Sequence, residues 1–154
     1  MLKHLLIAGI ISLLLSLIFN ITAIAQITKS EHTSHAIEAI SIPLTKIGPG
    51  WTLKTSFYAP PDVVSYLAHK YDAQLEAVKN NVFEEGLKKL QINYFEAINN
   101  EEALKTYEAL VNKAGKYNVI ALKGNIVIEI IAKDITLKAE IVSHIQADKV
   151  HTAY

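Results

Sequence analysis

The sequence predicts an α+β fold, with a mostly antiparallel sheet of about 4–5 strands and about 2–3 helices packed on one face. Some segments have apolar residues at three- and four-residue steps, as helices do, and others at every second residue, as strands do. Turn-forming residues lie between neighbouring strand segments. The chain of 154 residues is long enough for one domain with a hydrophobic core. These patterns predict a single domain, preceded by an N-terminal signal-peptide helix.

The N-terminus has the composition of a secretory signal peptide. A short basic start precedes an almost unbroken apolar run over residues 5–18, and the small residues Ala23 and Ala25 precede Gln26. This pattern predicts a signal peptide over residues 1–25 that is cleaved between Ala25 and Gln26, and hence a secreted or periplasmic protein. The alternative is an uncleaved membrane anchor, because the apolar stretch is just long enough to span a bilayer.

Composition and charge argue against several classes of protein. The chain has 15 Lys against 15 Asp plus Glu, has no Arg, and shows no basic cluster. It therefore lacks the electrostatic footprint of a nucleic-acid-binding protein, and it cannot clamp a phosphate with a guanidinium group. We expect contact with a membrane only through an uncleaved N-terminal segment. Because the chain has no Cys, an exported domain must be held together by its core alone.

The predicted domain covers residues 37–146 and is flanked by polar segments. The polar composition of residues 26–36 predicts a flexible leader, and that of residues 147–154 predicts a polar, frayed tail. Alternation of apolar and polar residues over 40–44 favours a short strand, which Pro43 would confine to the edge of a sheet.

A strand and a long helix are predicted next. Large apolar and polar side chains alternate over residues 51–58, which indicates a strand. Prolines then end this strand and open a helix. Apolar residues recur at three- and four-residue steps up to a natural stop at Gly86, so we expect one long amphipathic helix. The residues expected to share one face of the strand are Trp51, Leu53 and Phe57, with Thr55.

Residues 89–132 predict a β-α-β-β unit that contains the densest apolar pattern of the chain. Residues 90–95 indicate a strand. Asn99 or Asn100 is placed to cap a following helix, which we expect to run to about Lys113. Two acidic residues in the first turn of this helix would be stabilised by the helix dipole.

A hairpin completes the unit. Its strands are predicted over residues 118–122 and 126–131, with Gly124-Asn125 supplying positive φ angles in the turn. The second strand is apolar almost throughout, so we expect it to be central and covered on both faces. Residues 135–146 fit either a strand or a helix capped by Asp134. The good helix formers in this segment favour the helix.

One short segment, at the end of the predicted leader, contains several residues of types that could bind a metal ion. His32 and His35 would share a helix face with Glu38, and imidazole and carboxylate suit Zn or Cu. The alternative is a solvated leader that happens to contain two His residues. His69 is a second candidate for chemistry, because Asp72 lies three residues further on, but this spacing is also that of an ordinary surface pair on a helix.

Aromatic residues give the better indication of binding. Tyr and Trp offer large amphipathic surfaces that suit contacts with sugars or proteins. Trp51, Tyr58 and Tyr66, near the Pro60-Pro61 corner, are predicted to be an exposed ligand-binding group. We therefore expect a non-catalytic, exported domain that binds a protein or a small ligand, without a cofactor. The alternatives are a membrane-tethered module and a small hydrolase with a site near His69.

Overall fold

The computed structural model describes residues 33–152, which form an α+β domain around one six-stranded sheet. The predicted signal peptide and most of the predicted leader lie outside these residues. The strands are β1 (Thr52–Tyr58), β2 (Leu75–Glu85), β3 (Lys88–Ala97), β4 (Asn118–Lys123), β5 (Ile126–Ala132) and β6 (Lys149–Thr152). The helices are α1 (His35–Ile40), α2 (Leu44–Ile47), α3 (Pro61–Tyr71), α4 (Asn100–Val111) and α5 (Ile135–Ile145).

All neighbouring strands are antiparallel, in the order β1-β2-β3-β5-β4-β6. The central strands β3 and β5 contain most of the largest fully buried side chains. The prediction of a central β5 covered on both faces is therefore confirmed. Its consecutive residues Ile126, Val127 and Ile128 are all buried, which is possible in a strand only when both faces are covered.

Helices cover both faces of the sheet, so the prediction that they pack on one face is wrong. We name the two faces after these helices. On the α5 face, α1, α2 and α5 pack over one core cluster that includes Ile37, Ile92 and Ile141. On the α3–α4 face, the two helices pack over a second cluster that includes Phe95 and Leu110. The sequence pattern marks which side of a helix is buried, but it does not say which side of the sheet receives that helix.

Strand β2 lies where the sequence predicted the second half of a long helix. The helix ends at Tyr71, and Asp72 follows in the left-handed conformation with φ 51°. Along β2, Phe83 packs on the α5 face and Val78 on the α3–α4 face. A strand buried on both faces loses its simple alternation, and the remaining spacing of apolar residues resembles that of a helix. Gly86, with φ 58°, occupies the turn from β2 to β3 rather than the end of a helix.

The N-terminal part of the domain is helical, so the predicted edge strand over residues 40–44 is wrong. Ser34 caps α1 by accepting a hydrogen bond from the backbone N–H of Ile37 at 3.0 Å. Pro43 then serves as the N-cap of α2 instead of marking a sheet edge. The last residues of the predicted leader are thus part of an ordered helix. The structure explains this by the burial of Ile37 against the sheet.

Strand β1 is confirmed, but its side chains do not share one face as predicted. A bulge between Leu53 and Thr55 shifts the pairing with β2. Leu53 lies opposite Phe83 of the α5 face, whereas Phe57 lies opposite Asn80 of the other face. A β-bulge inserts one residue and so reverses the alternation beyond it.

The predicted caps and hairpin are confirmed, whereas the prediction of a frayed tail is wrong. Asn99 caps α4 and Asp134 caps α5, each through a hydrogen bond of 3.0 Å to a backbone N–H. Strands β4 and β5 form the expected hairpin, although only Gly124 has a positive φ in its turn. The predicted frayed tail instead contains β6, which pairs with β4 at the edge of the sheet. None of the helices between residues 33 and 152 has the length and hydropathy of a membrane span.

Candidate functional site

Five polar side chains meet on the α3–α4 face of an otherwise apolar sheet. Strand pairing brings them together, since Asn80 lies opposite Asn93, and Asn93 lies opposite Glu129. Residues directly opposite each other in an antiparallel pair project from the same face. The group therefore spans the strands β2, β3, β5 and β4. We call it the Glu129 cluster, and its members are Asn80, Gln91, Asn93, Asn118 and Glu129.

Hydrogen bonds within the Glu129 cluster converge on the carboxylate. Asn93 Nδ2 donates to Glu129 Oε2 at 2.8 Å, and Asn118 Nδ2 donates to Glu129 Oε1 at 2.7 Å. Asn93 Oδ1 in turn accepts from Asn80 Nδ2 at 2.5 Å and from Gln91 Nε2 at 3.1 Å. Each amide donates towards Glu129, directly or through Asn93, so the carboxylate is the final acceptor of the network.

The surroundings of Glu129 disfavour its charged form. Burial raises the pKa of the Glu129 carboxyl, and the hydrogen bonds from Asn93 and Asn118 and the charge of Lys70 offset this only in part. Burial also raises the pKa of the neighbouring Tyr71 hydroxyl, and the charge of Glu129 adds to that effect. A carboxyl group whose pKa is raised by its environment is a recognised mark of functional sites.

Two lysines and an aromatic pair border the cluster at the end of α3. The Tyr71 ring packs edge-to-face on Phe95, with ring centroids 5.8 Å apart. Lys70 Nζ and Lys113 Nζ lie 5.6 Å and 5.4 Å from the centroid of the Tyr71 ring, within the range of cation–π attraction. Positive charge thus lies near the carboxylate without forming a direct ion pair with it in the described part of the chain.

The cluster lies between the packed part of this face and the solvent. Asn80 is buried, whereas Gln91, Asn93, Asn118 and Glu129 are half-buried. Both carboxylate oxygens of Glu129 accept a hydrogen bond from a side-chain amide. Among residues 33–152, no hydroxyl, imidazole or second carboxyl group is hydrogen-bonded to these oxygens. The arrangement can accept hydrogen bonds and attract a positive group.

The three aromatic residues predicted as a ligand-binding group are not brought together. Trp51 is only 9% exposed and belongs to the core cluster of the α5 face, so the expectation of an exposed Trp51 is wrong. The Tyr58 hydroxyl lies 2.9 Å from Glu38 Oε1 and 3.1 Å from the carbonyl of Ser34. Tyr66 is 58% exposed and lies on α3, which packs on the opposite face of the sheet.

The predicted metal ligands lie only partly within the described residues. His32 lies outside them, and His35 is exposed at the start of α1. Glu38 bonds to Lys79 Nζ at 2.7 Å. Although desolvation acts to raise the pKa of Glu38, the hydrogen bonds from Lys79 and Tyr58 hold it below its usual value. Among residues 33–152 there is no group of three or more His, Cys, Asp or Glu that could hold a metal ion.

His69 lines a depression of about 430 Å³ between the end of α3 and the start of α4. Glu102 in this depression bonds to Lys105 Nζ at 2.7 Å and to the backbone N–H of Gln74 at 2.8 Å. Both contacts lower the pKa of Glu102, and the hydrogen bond from Gln74 connects α4 to the loop before β2. Within the described part of the chain, His69 has no hydrogen bond to an acid, so the structure does not assemble a catalytic pair around it.

Sequence reasoning missed the Glu129 cluster, although one signal was available. Glu129 is the single charged residue in the apolar run of β5, where a buried charge costs free energy. No protein-family model, curated protein or solved structure matches this chain. What the domain does must therefore be inferred from the geometry of its own sites.

Proposed function

We propose that this protein is a non-catalytic, exported binding domain that takes a small ligand with hydroxyl or ammonium donors at the Glu129 cluster. The observation that supports this is the half-buried carboxylate on which the amide donors converge. A partly buried carboxyl group in a central strand lowers stability. Such conflicts between a residue and its location are expected at functional sites. Export rests on the signal-peptide pattern of residues 1–25.

The hydrogen-bonding capacity of the cluster indicates the class of ligand. A carboxylate offers about four lone-pair positions. Asn93 and Asn118 take one on each oxygen of Glu129, and the other positions remain for a ligand. Ammonium and hydroxyl groups, as in amines, polyols and sugars, donate to such acceptors. Tyr66 on α3 is included in the proposal as a ligand contact, since it is exposed and close enough to Tyr71 to affect the pKa of that residue.

Binding is favoured over hydrolysis by the contacts of the carboxylate. A glycosidase of the usual kind needs two carboxyl groups, one on each side of the scissile bond. The hydrogen-bond partners of Glu129 are uncharged amides, which orient the carboxylate but do not transfer protons. The cluster therefore supports recognition of a donor-rich ligand.

A ligand screen with a matched variant tests this proposal. The full chain is mixed with monosaccharides, polyols and alkyl amines, and binding is measured by calorimetry on wild type, Glu129→Gln and Glu108→Gln. Glu108 is an exposed acid on α4 and serves as the control. We expect one ligand class to bind wild type and the Glu108 variant equally, and to bind the Glu129 variant at least about tenfold more weakly. No binding in any class, or equal binding to all three proteins, would overturn the proposal.

Export is tested separately, by measuring the mass of the protein recovered outside the cytoplasm. A chain that begins at Gln26 is the expected result. An intact N-terminus in the membrane fraction would instead support the tethered alternative.

A further inference from the structure

A partly enclosed pocket of about 230 Å³ lies on the α5 face, on the opposite side of the sheet from the Glu129 cluster. Its walls come from the α1–α2 connection and from the end of α5. Ile42 and Ile145 are almost fully buried and give the pocket an apolar floor. Ala39, Ile40 and Pro43 complete its apolar lining.

Basic side chains from three different elements surround this floor. Lys46 lies in the last turn of α2, Lys123 ends β4, and His144 lies in the last turn of α5. Lys123 Nζ donates to the carbonyl of Ile145 at 2.6 Å, which holds its ammonium group at the end of α5. No acidic residue of the described chain lines the pocket. The nearby Asp148 accepts a hydrogen bond from the backbone N–H of Gly124 at 2.8 Å.

We propose that this pocket binds the carboxylate end of a short aliphatic chain. An apolar floor favours hydrocarbon, and basic groups without an acidic partner favour an anion. A simple inorganic anion would leave the floor uncovered, and a neutral alkane would leave the charges unpaired. The volume of about 230 Å³ is smaller than the roughly 300–1,000 Å³ of pockets for drug-sized ligands, so the chain is short.

Calorimetry on the full-length protein tests the charge requirement, with sodium octanoate, 1-octanol and octylamine as probes. We expect octanoate to bind at least about tenfold more tightly than either of the other two. Lys46→Met should weaken octanoate binding about fivefold, because Lys46 is exposed and acts through its charge. Lys133→Met, an exposed lysine on the loop after β5, is the matched control and should leave the affinity unchanged.

A second variant tests the location without altering charge. Ala39 is an exposed residue of α1, and Ala39→Leu should fill part of the pocket while keeping the helix. We expect this variant to lose octanoate binding and to melt at the wild-type temperature. Three results would overturn the proposal: octanol binding as tightly as octanoate, unchanged octanoate affinity in the Ala39 or Lys46 variant, or displacement of octanoate by an equal concentration of inorganic phosphate.

Discussion

Lys79 Nζ lies 2.7 Å from Glu38 Oε1, so the buried ammonium group of β2 meets a carboxylate of α1. The Tyr58 ring centroid lies 5.5 Å from the same nitrogen, and the Tyr58 hydroxyl contacts Glu38 as well. Ser34, at the start of α1, bonds to the buried carboxyl group of Glu96 in β3. The first helix of the domain is thus attached to the sheet through polar contacts in addition to the burial of Ile37.

Replacing Glu38 and replacing Lys79 should destabilise the domain by different amounts. The Lys79 side chain is 8% exposed and that of Glu38 is 42% exposed. Glu38→Gln leaves a buried ammonium group unpaired, and we expect a loss of about 2 kcal/mol, less than for a fully buried pair. Lys79→Met places an apolar chain of similar size in a buried site, and the expected loss is below about 1 kcal/mol. Urea unfolding at neutral pH measures both.

The double variant and an exposed pair serve as controls for this prediction. Glu38→Gln combined with Lys79→Met should be more stable than Glu38→Gln alone, because the buried ammonium group that lost its carboxylate partner is removed as well. Glu85→Gln, which breaks the exposed pair with Lys88, should change stability by less than about 0.5 kcal/mol. Equal losses in the Glu38 and Glu85 variants would contradict the interpretation.

Glu129 should make the domain less stable as the pH rises. Because burial raises the pKa of this carboxyl in the folded state, the unfolded chain releases its proton first as the pH increases. Folding stability therefore falls from the ordinary pKa of Glu up to the raised pKa of the folded state. We expect Glu129→Gln to be more stable than wild type by about 1 kcal/mol at neutral pH, with the difference vanishing in acid.

Urea unfolding of both proteins between about pH 4 and about pH 8 checks this, and the difference between the two curves isolates Glu129 from other groups. A variant less stable than wild type at neutral pH would show that the carboxylate is structural. A more stable variant that has lost its ligand would instead match the trade-off between stability and function.

Local signals in the sequence were sufficient for much of the fold. The cap of α4 at Asn99, the cap of α5 at Asp134 and the turn at Gly124 each depend on residues within one turn of chain. The strand β2 could not be predicted in this way, because Val78 and Phe83 are buried against opposite faces. Burial on both faces removes the alternation by which strands are recognised.

The Glu129 cluster could not be predicted from the sequence for a different reason. Asn93 and Glu129 are 36 residues apart, and they meet because β5 lies between β3 and β4 in the sheet. Strand order and register are long-range properties that no local pattern contains. Conversely, the predicted aromatic group is divided between the two faces, because Trp51 and Tyr58 pack with the cluster of the α5 face and Tyr66 lies on α3.

Tyr94 should be sensitive to loss of its hydroxyl. Its side chain is fully buried, and its hydroxyl accepts a hydrogen bond from the backbone N–H of Ile42 at 3.0 Å. Burial raises the pKa of this hydroxyl to about 12, so it remains protonated at neutral pH. Tyr94→Phe would leave the buried N–H of Ile42 without an acceptor and should cost about 1–3 kcal/mol.

Chemical denaturation and amide hydrogen exchange at Ile42 measure this effect. Tyr117→Phe is the control, because Tyr117 is 40% exposed and its hydroxyl is not needed by a buried group in the described part of the chain. We expect the control to change stability by less than about 0.5 kcal/mol. If Ile42 remains protected from exchange in the Tyr94 variant, the hydrogen bond does not have the assigned role.

Gly124 and Gly115 should differ in their tolerance of a side chain. Gly124 has φ 57° in the turn between β4 and β5, and nothing lies within 4 Å of the position that a Cβ would occupy, so Gly124→Ala adds backbone strain without a clash. Such strain costs about 1–2 kcal/mol. Gly115 has no such φ, and a Cβ there would lie 3.9 Å from Asn118 Oδ1, an ordinary contact. Gly115→Ala should therefore be neutral or slightly stabilising. Thermal unfolding of the two variants provides the comparison, and equal melting temperatures would show that the turn relaxes to accept an alanine.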